Sequence, residues 1–243
     1  MSVIYSPKGK AGEYAKLALN IYNGCSHGCT FCFAPALMRK SREDFLTVSP
    51  RKDLLTKLET DLKRGSVKGN DGEDISLADY PIHLCFTCDP YPRGEDTMLT
   101  REVIKRIKGF GYNVQILTKA GLDSTRDLCL LGKDDWYGFS FGGYSTREYE
   151  PNADSPENRI LAGEIAIQNG LKTWVSCEPV LVPDEVESFL KTHGNRYDLV
   201  KIGKPNYMEI PNAPDWVEWG KRIMEVCNEY GVNAVLKDSL KGE

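Results

Sequence analysis

Three cysteines fall within eight residues, in the order Asn23-Gly24-Cys25-Ser26-His27-Gly28-Cys29-Thr30-Phe31-Cys32. Thiolates are soft ligands suited to iron–sulfur chemistry, and a cluster that only carries electrons uses four of them. Three in one tight loop can hold three irons of a cubane and leave the fourth open to a further ligand. Gly24 and Gly28 let backbone N–H groups approach the sulfurs, where their dipoles favour a net negative cluster. The same thiols also admit a zinc site, closed by His27 or by a distant cysteine such as those of Cys85-Phe86-Thr87-Cys88. Zinc loops ordinarily pair two such elements, and this second pair falls in a predicted strand.

The elements that must position these groups follow from the pattern. Short apolar runs at 17–21, 82–87, 113–117, 137–140, 173–176 and 199–202 read as strands, with a seventh at 233–236. Amphipathic stretches at 51–64, 99–108, 124–131, 156–169, 183–192 and 215–230 read as the helices between them. Ser155-Pro156 is a helix start, with an N-cap residue before a proline at the first turn, and Gly170 is the matching stop. Six βα units in a row predict an α/β fold with a parallel sheet and right-handed crossovers. Such a run curls into a partial (βα)6 TIM-type barrel, a single domain over 1–243 with a short C-terminal extension. The stretch 65–79 reads as an exposed insertion in the first crossover. Polar residues gather where strands end, at Asp89, Lys119, Ser140 and Glu178, and parallel barrels do their chemistry at that face.

With 41% hydrophobic and 27% charged residues, the 243-residue chain has the composition of a water-soluble globular protein. Its apolar runs are far shorter than the roughly 20 residues of a membrane span. The first ten residues lack the apolar core of a secretion signal. Cytoplasmic placement is the resulting expectation, and eight cysteines there point to metal binding or chemistry rather than disulfides. The net charge of −4 does not favour a surface built to grip nucleic acid, though a nucleic-acid substrate in a small cleft remains compatible.

CxxxCxxC with an aromatic at Phe31 resembles the signature of the radical S-adenosylmethionine superfamily. The context 20–29, the upstream Pro7-Lys8-Gly9-Lys10-Ala11 and Glu13-Tyr14, and the later Asp89-Pro90-Tyr91, Leu117-Thr118-Lys119, Glu150-Pro151 and Glu178-Pro179-Val180 resemble the branch of spore photoproduct lyase. The resemblance implies a [4Fe–4S] cluster on Cys25, Cys29 and Cys32, with S-adenosylmethionine on the open iron. It further implies reductive cleavage to a 5′-deoxyadenosyl radical that takes hydrogen from substrate, with the electron coming from an external donor such as flavodoxin or ferredoxin. Phe31 would lie beside adenine or cluster, Asp89 would accept from the methionine ammonium, and Lys119 would pair with its carboxylate. Ser140 would reach ribose or carboxylate, and Glu178 a ribose, a substrate cation or a neighbouring lysine. Cys88 would touch the cofactor and act as a thiol hydrogen donor, while Tyr91 would serve as a hydrogen-relay phenol.

One position departs from that branch. The lyases carry a hydrogen-returning cysteine three residues before the strand-end aspartate, and here that residue is Phe86. Strand alternation turns Cys85 away from the Phe86 face and leaves Cys88 on it. Two alternatives to a radical enzyme of undetermined substrate therefore stand: a nucleic-acid lesion lyase, and a non-catalytic iron–sulfur or zinc protein.

Overall fold

The computed structural model describes residues 2–206 and 208–241. One eight-stranded sheet organises the chain: β1 (Ile4–Tyr5), β2 (Leu17–Leu19), β3 (Ile82–Leu84), β4 (Val114–Thr118), β5 (Trp136–Ser140), β6 (Lys172–Cys177), β7 (Leu199–Ile202) and β8 (Ala234–Leu236). Spatial order equals chain order. Only β1, beside β2, runs antiparallel; β2 to β8 are parallel throughout. Each parallel pair thus needs a crossover. Five crossovers carry an α-helix: α1 (Leu54–Arg64), α2 (Met98–Gly109), α3 (Pro156–Gln168), α4 (Pro183–His193) and α5 (Trp216–Glu229). The crossover from β4 to β5 is instead a 3-10 helix, Gly121–Leu130, where a regular helix over 124–131 was expected. The sheet stays open, with β1 and β8 as its edges.

Period-two alternation divides the strands. Leu17, Leu19, Ile82, Leu84, Val114 and Ile116 face the helices and join one buried cluster with Leu58, Leu62, Val103 and Ile107. A second cluster packs Val175, Cys177, Val200 and Ile202 against Phe189, Trp219 and Ile223. The opposite faces hold His83, Gln115 and Trp174, all buried. Trp174 lies across from Gly138 in the β5–β6 ladder, and a Cβ on Gly138 would come within 2.2 Å of its indole nitrogen. That nitrogen donates to the Ile116 carbonyl at 3.0 Å. A glycine in a central strand, normally a weakness, is here the space a tryptophan fills.

Helix starts follow their caps. Ser155 Oγ accepts from Asn158 N–H at α3, and the Asp215 carboxylate accepts from Val217 and Glu218 at α5. The stretch 65–79 is a hairpin, Ser66–Lys68 against Asp74–Ser76, that buries Val67 and Leu77. The insertion is ordered because those two apolar side chains have a core to join.

Candidate active site

The cysteine loop follows β2 and a two-residue ribbon, Tyr22–Asn23 paired with Ser49–Pro50. Gly24 has φ +92°, and a Cβ there would lie 2.2 Å from the Thr47 carbonyl oxygen. Only glycine permits that approach. It lets Cys25 N–H donate to Phe45 O at 2.8 Å, while Thr30 N–H donates to Tyr149 O at 2.9 Å and Asn152 N–H to His27 O at 3.2 Å. The loop is therefore strapped from both sides. Burial pushes the Cys25 thiol well up, the Cys29 thiol up to about 12 and the Cys32 thiol up, with Lys119 opposing the shift at Cys29 and Cys32. Buried thiols give up their protons readily when a metal takes the proton's place. Among the described residues no three His, Cys, Asp or Glu side chains converge as one metal ion requires. Three thiols lining one cavity supply the soft donors that an iron–sulfur cluster needs.

Those thiols line a cavity of about 560 Å³ whose far walls are strand ends. Asp89 lies beyond β3, Lys119 follows β4, Ser140 closes β5, and Glu178 follows β6; with Phe31 and Cys88 they all line it. The volume is that of a small-molecule site. His27 lines it too, its buried Nε2 without a hydrogen-bond partner and its Nδ1 3.4 Å from Asp89 Oδ2. Lys119 Nζ sits 5.6 Å from the Phe31 ring centroid and 3.7 Å from Glu150 Oε1. Arg159 bonds the other Glu150 oxygen at 2.6 Å and donates to Ser140 O at 3.1 Å, tying the β5 end to the loop's support.

Asp89 is more engaged than expected. Its Oδ1 accepts from Thr118 Oγ1 at 2.7 Å and Tyr91 N–H at 2.8 Å, and its Oδ2 accepts from Lys119 N–H at 2.9 Å. Burial pushes its carboxyl up, but His27, Thr118 and the Tyr91 amide outweigh this and hold it below the ordinary value. A carboxylate offers about four acceptor sites; three are taken, and His27 Nδ1 approaches the fourth, so a ligand ammonium would have to share that edge. Its first task is to join the ends of β3 and β4. Glu178 accepts from Tyr14 Oη, from Lys237 Nζ at 3.0 Å and from Asn206 Nδ2 at 3.0 Å. A neighbouring lysine, Lys237, is thus among its partners.

Two expectations are corrected. Tyr91 does not reach the cavity lining; it is 2% exposed in the core, its hydroxyl beside Asp127, so a hydrogen-relay role has no geometry behind it. The strand expected over 82–87 stops at Leu84, because Asn20 Oδ1 captures Phe86 N–H at 2.8 Å and Thr87 N–H at 2.9 Å. Alternation therefore ends before Cys85, and Cys85, Phe86 and Cys88 all line the cavity. Tyr14, Lys10, Asn206 and Lys237 were not foreseen as site residues. They come from the N-terminal and C-terminal parts of the chain, outside the cysteine loop. Lys201, also near this end, is pushed down to about 8 by burial and by Lys237.

No protein-family model matches the chain. An uncharacterized protein of Methanocaldococcus jannaschii is 27% identical over 189 residues, 71% of this chain and 63% of the relative. An uncharacterized protein of Mycobacterium tuberculosis is 29% identical over 119 residues, covering 49% of this chain and 33% of that one. The chain thus spans less than two thirds of the length of these curated relatives. Among solved structures, spore photoproduct lyase complexed with dinucleoside spore photoproduct matches with a TM-score of 0.72 and 11% identity, over 95% of this chain and 78% of the lyase. Streptococcus suis SuiB bound to S-adenosylmethionine matches at 0.63 and 13% identity, over 90% and 50%. Across nearly its whole length the chain has the radical S-adenosylmethionine fold, in the form shown by spore photoproduct lyase.

Proposed function

We propose that the chain is a radical S-adenosylmethionine enzyme, with Cys25, Cys29 and Cys32 holding a [4Fe–4S] cluster beside a cavity that takes the cofactor. The observation that carries this is that three thiols of one loop and the polar strand-end residues Asp89, Lys119, Ser140 and Glu178 line one small-molecule cavity. When bound, the cluster supplies the electron that splits S-adenosylmethionine into methionine and a hydrogen-abstracting 5′-deoxyadenosyl radical. The chain's residues bind, orient and exclude water. Lys119 would hold the methionine carboxylate, Asp89 its ammonium at the Oδ2 edge that His27 Nδ1 approaches, Ser140 and Glu178 the ribose, and Phe31 the adenine face. Cys88 is the thiol that would return hydrogen to a product radical. An external flavodoxin- or ferredoxin-like donor would feed the cluster.

Anaerobic reconstitution with iron and sulfide tests the reading. The loaded chain is expected to hold about four irons and, once reduced, to release methionine and 5′-deoxyadenosine from S-adenosylmethionine. Cys29→Ala should lose both properties. A fully loaded, reduced chain that leaves the cofactor intact would sink the proposal. The likeness to spore photoproduct lyase supports a second reading, a lesion lyase, against which Phe86 stands in the hydrogen-donor position. Incubation with dinucleoside spore photoproduct separates the two, since only a lyase returns the repaired dinucleoside.

A further inference from the structure

Cys85-Phe86-Thr87-Cys88 is a turn fixed from outside itself. Cys85 N–H donates to Leu19 O at 2.8 Å, and the Phe86 and Thr87 amides are held by Asn20. Asn20 is itself buried and donates to Tyr5 Oη at 2.8 Å, while Arg51 donates to Thr87 Oγ1 at 3.2 Å. Cys85 takes φ +73°, a conformation a side-chain-bearing residue keeps only when its surroundings over-determine it. The outcome is two thiols three residues apart in one fixed turn, both on the wall of the same cavity. They are not equivalent: Cys85 is 6% exposed and Cys88 is half-buried. Burial disfavours the Cys88 thiolate. The Cys85 thiol, the Tyr22 and Ile21 amides and Arg51 outweigh that and hold Cys88 below its ordinary value, whereas burial and Cys88 itself push Cys85 well up.

We propose that Cys85 and Cys88 form a thiol–disulfide couple in the cavity wall, open to exchange with small-molecule disulfides and dithiols. The Cys88 thiolate attacks one sulfur of a small disulfide, forming a mixed disulfide and releasing one small thiolate. The Cys85 thiolate then attacks the Cys88 sulfur, closing the internal disulfide and releasing the second. The chain loses two electrons and two protons, and the small disulfide becomes two thiols. A consequence rests on the cofactor reading above: only the dithiol form presents S–H hydrogens to the radical, so the disulfide form would be silent in hydrogen return. The couple itself does not depend on that reading.

The test equilibrates two proteins anaerobically across reduced-to-oxidised glutathione ratios, traps free thiols by alkylation and weighs the fragment holding residues 85–88. One protein is the cluster-loaded chain; the other carries Cys25→Ser, Cys29→Ser and Cys32→Ser, leaving Cys85 and Cys88 as its only cavity thiols. In both, the fragment should lose its two alkylation sites together, in one transition, with an internal disulfide as product. Cys85→Ser should instead accumulate glutathione on Cys88, and Cys88→Ser should accumulate none on Cys85. A fragment that stays doubly alkylated at the most oxidising ratio, or that takes glutathione on both thiols without closing, would overturn the couple. Failure of the chain to load iron would overturn the cofactor reading and leave the triple-serine result intact.

Discussion

Glu150 and Arg159 meet 2.6 Å apart with 2% of each side chain exposed, beneath the loop that carries the three cysteines. Two charges withdrawn from water are sustained by each other and by the carbonyls of Ser140 and Asp154 that Arg159 also binds. Glu150→Ala leaves that guanidinium buried and unpaired, and is expected to cost about 3–5 kcal/mol in denaturant unfolding. Replacing both residues by Met should cost less than the single change, because no stranded charge remains. His83 offers a pH test at the same scale. It is fully buried, stacked 4.2 Å from Phe86, with neither ring nitrogen in a hydrogen bond. Burial, then Lys201, pushes it from 6.5 down to about 3. Between those values the unfolded chain binds the proton and the folded chain does not, so stability falls as pH drops through this window. The loss from this group approaches about 1.4 kcal/mol per pH unit. His83→Phe should flatten the acid limb of stability against pH between about 6.5 and 3 relative to the unchanged chain. Equal slopes would refute the assignment.

At the scale of elements, the apolar period found every parallel strand and the helical period found five of the six crossovers. Both signals are local, and tertiary context alters neither when one face is buried. What escaped was set by partners distant in sequence. The end of β3 is decided by the Asn20 carboxamide, and nothing within 82–88 announces it. The 3-10 crossover Gly121–Leu130 packs against α3, and the edge strand β1 is only two residues long. The cysteine loop was legible because its chemistry is written in consecutive residues, whereas the floor under Trp174 was not. Gly138→Ala tests that floor: its Cβ would fall 2.2 Å from Trp174 Nε1, and β6 or the indole must shift. Loss of about 1–3 kcal/mol is expected, read as a lower thermal midpoint with a changed tryptophan emission. Gly24→Ala should act differently, since the carbonyl of Thr47 cannot yield as a side chain can. Its expected signature is reduced iron loading, beyond what its loss of thermal stability explains.

For the whole molecule the open sheet poses the problem, because β1 and β8 leave a gap between the first and last strands. The 3-10 turn Gly9–Glu13, which follows β1, is tied by Lys237, which follows β8. Lys237 Nζ donates to Lys10 O at 3.2 Å, lies 3.0 Å from Glu178 Oε2 and 3.7 Å from Glu13 Oε1, and sits 3.9 Å from the Tyr14 ring centroid. Lys201 adds a bond to Glu13 O at 2.7 Å. Lys8, Lys10 and Lys237 line the cavity at this end, a local basic patch that a net charge of −4 conceals. Neither the patch nor the closure was readable from composition, since both arise where residues some two hundred positions apart meet. Lys237→Met removes the tie while keeping much of the buried stem. Glu178 then stays half-buried with Tyr14 and Asn206 but without its cation, at a cost of roughly 3 kcal/mol. That cost should be local. Hydrogen exchange should accelerate over residues 9–14 and 234–241, because the Lys237 side chain ties these two segments together, while the amides of β4 and β5 keep the protection of global unfolding. Uniform acceleration would mean that Lys237 supports the core at large, and unchanged exchange near both ends would mean that the gap is closed by something else.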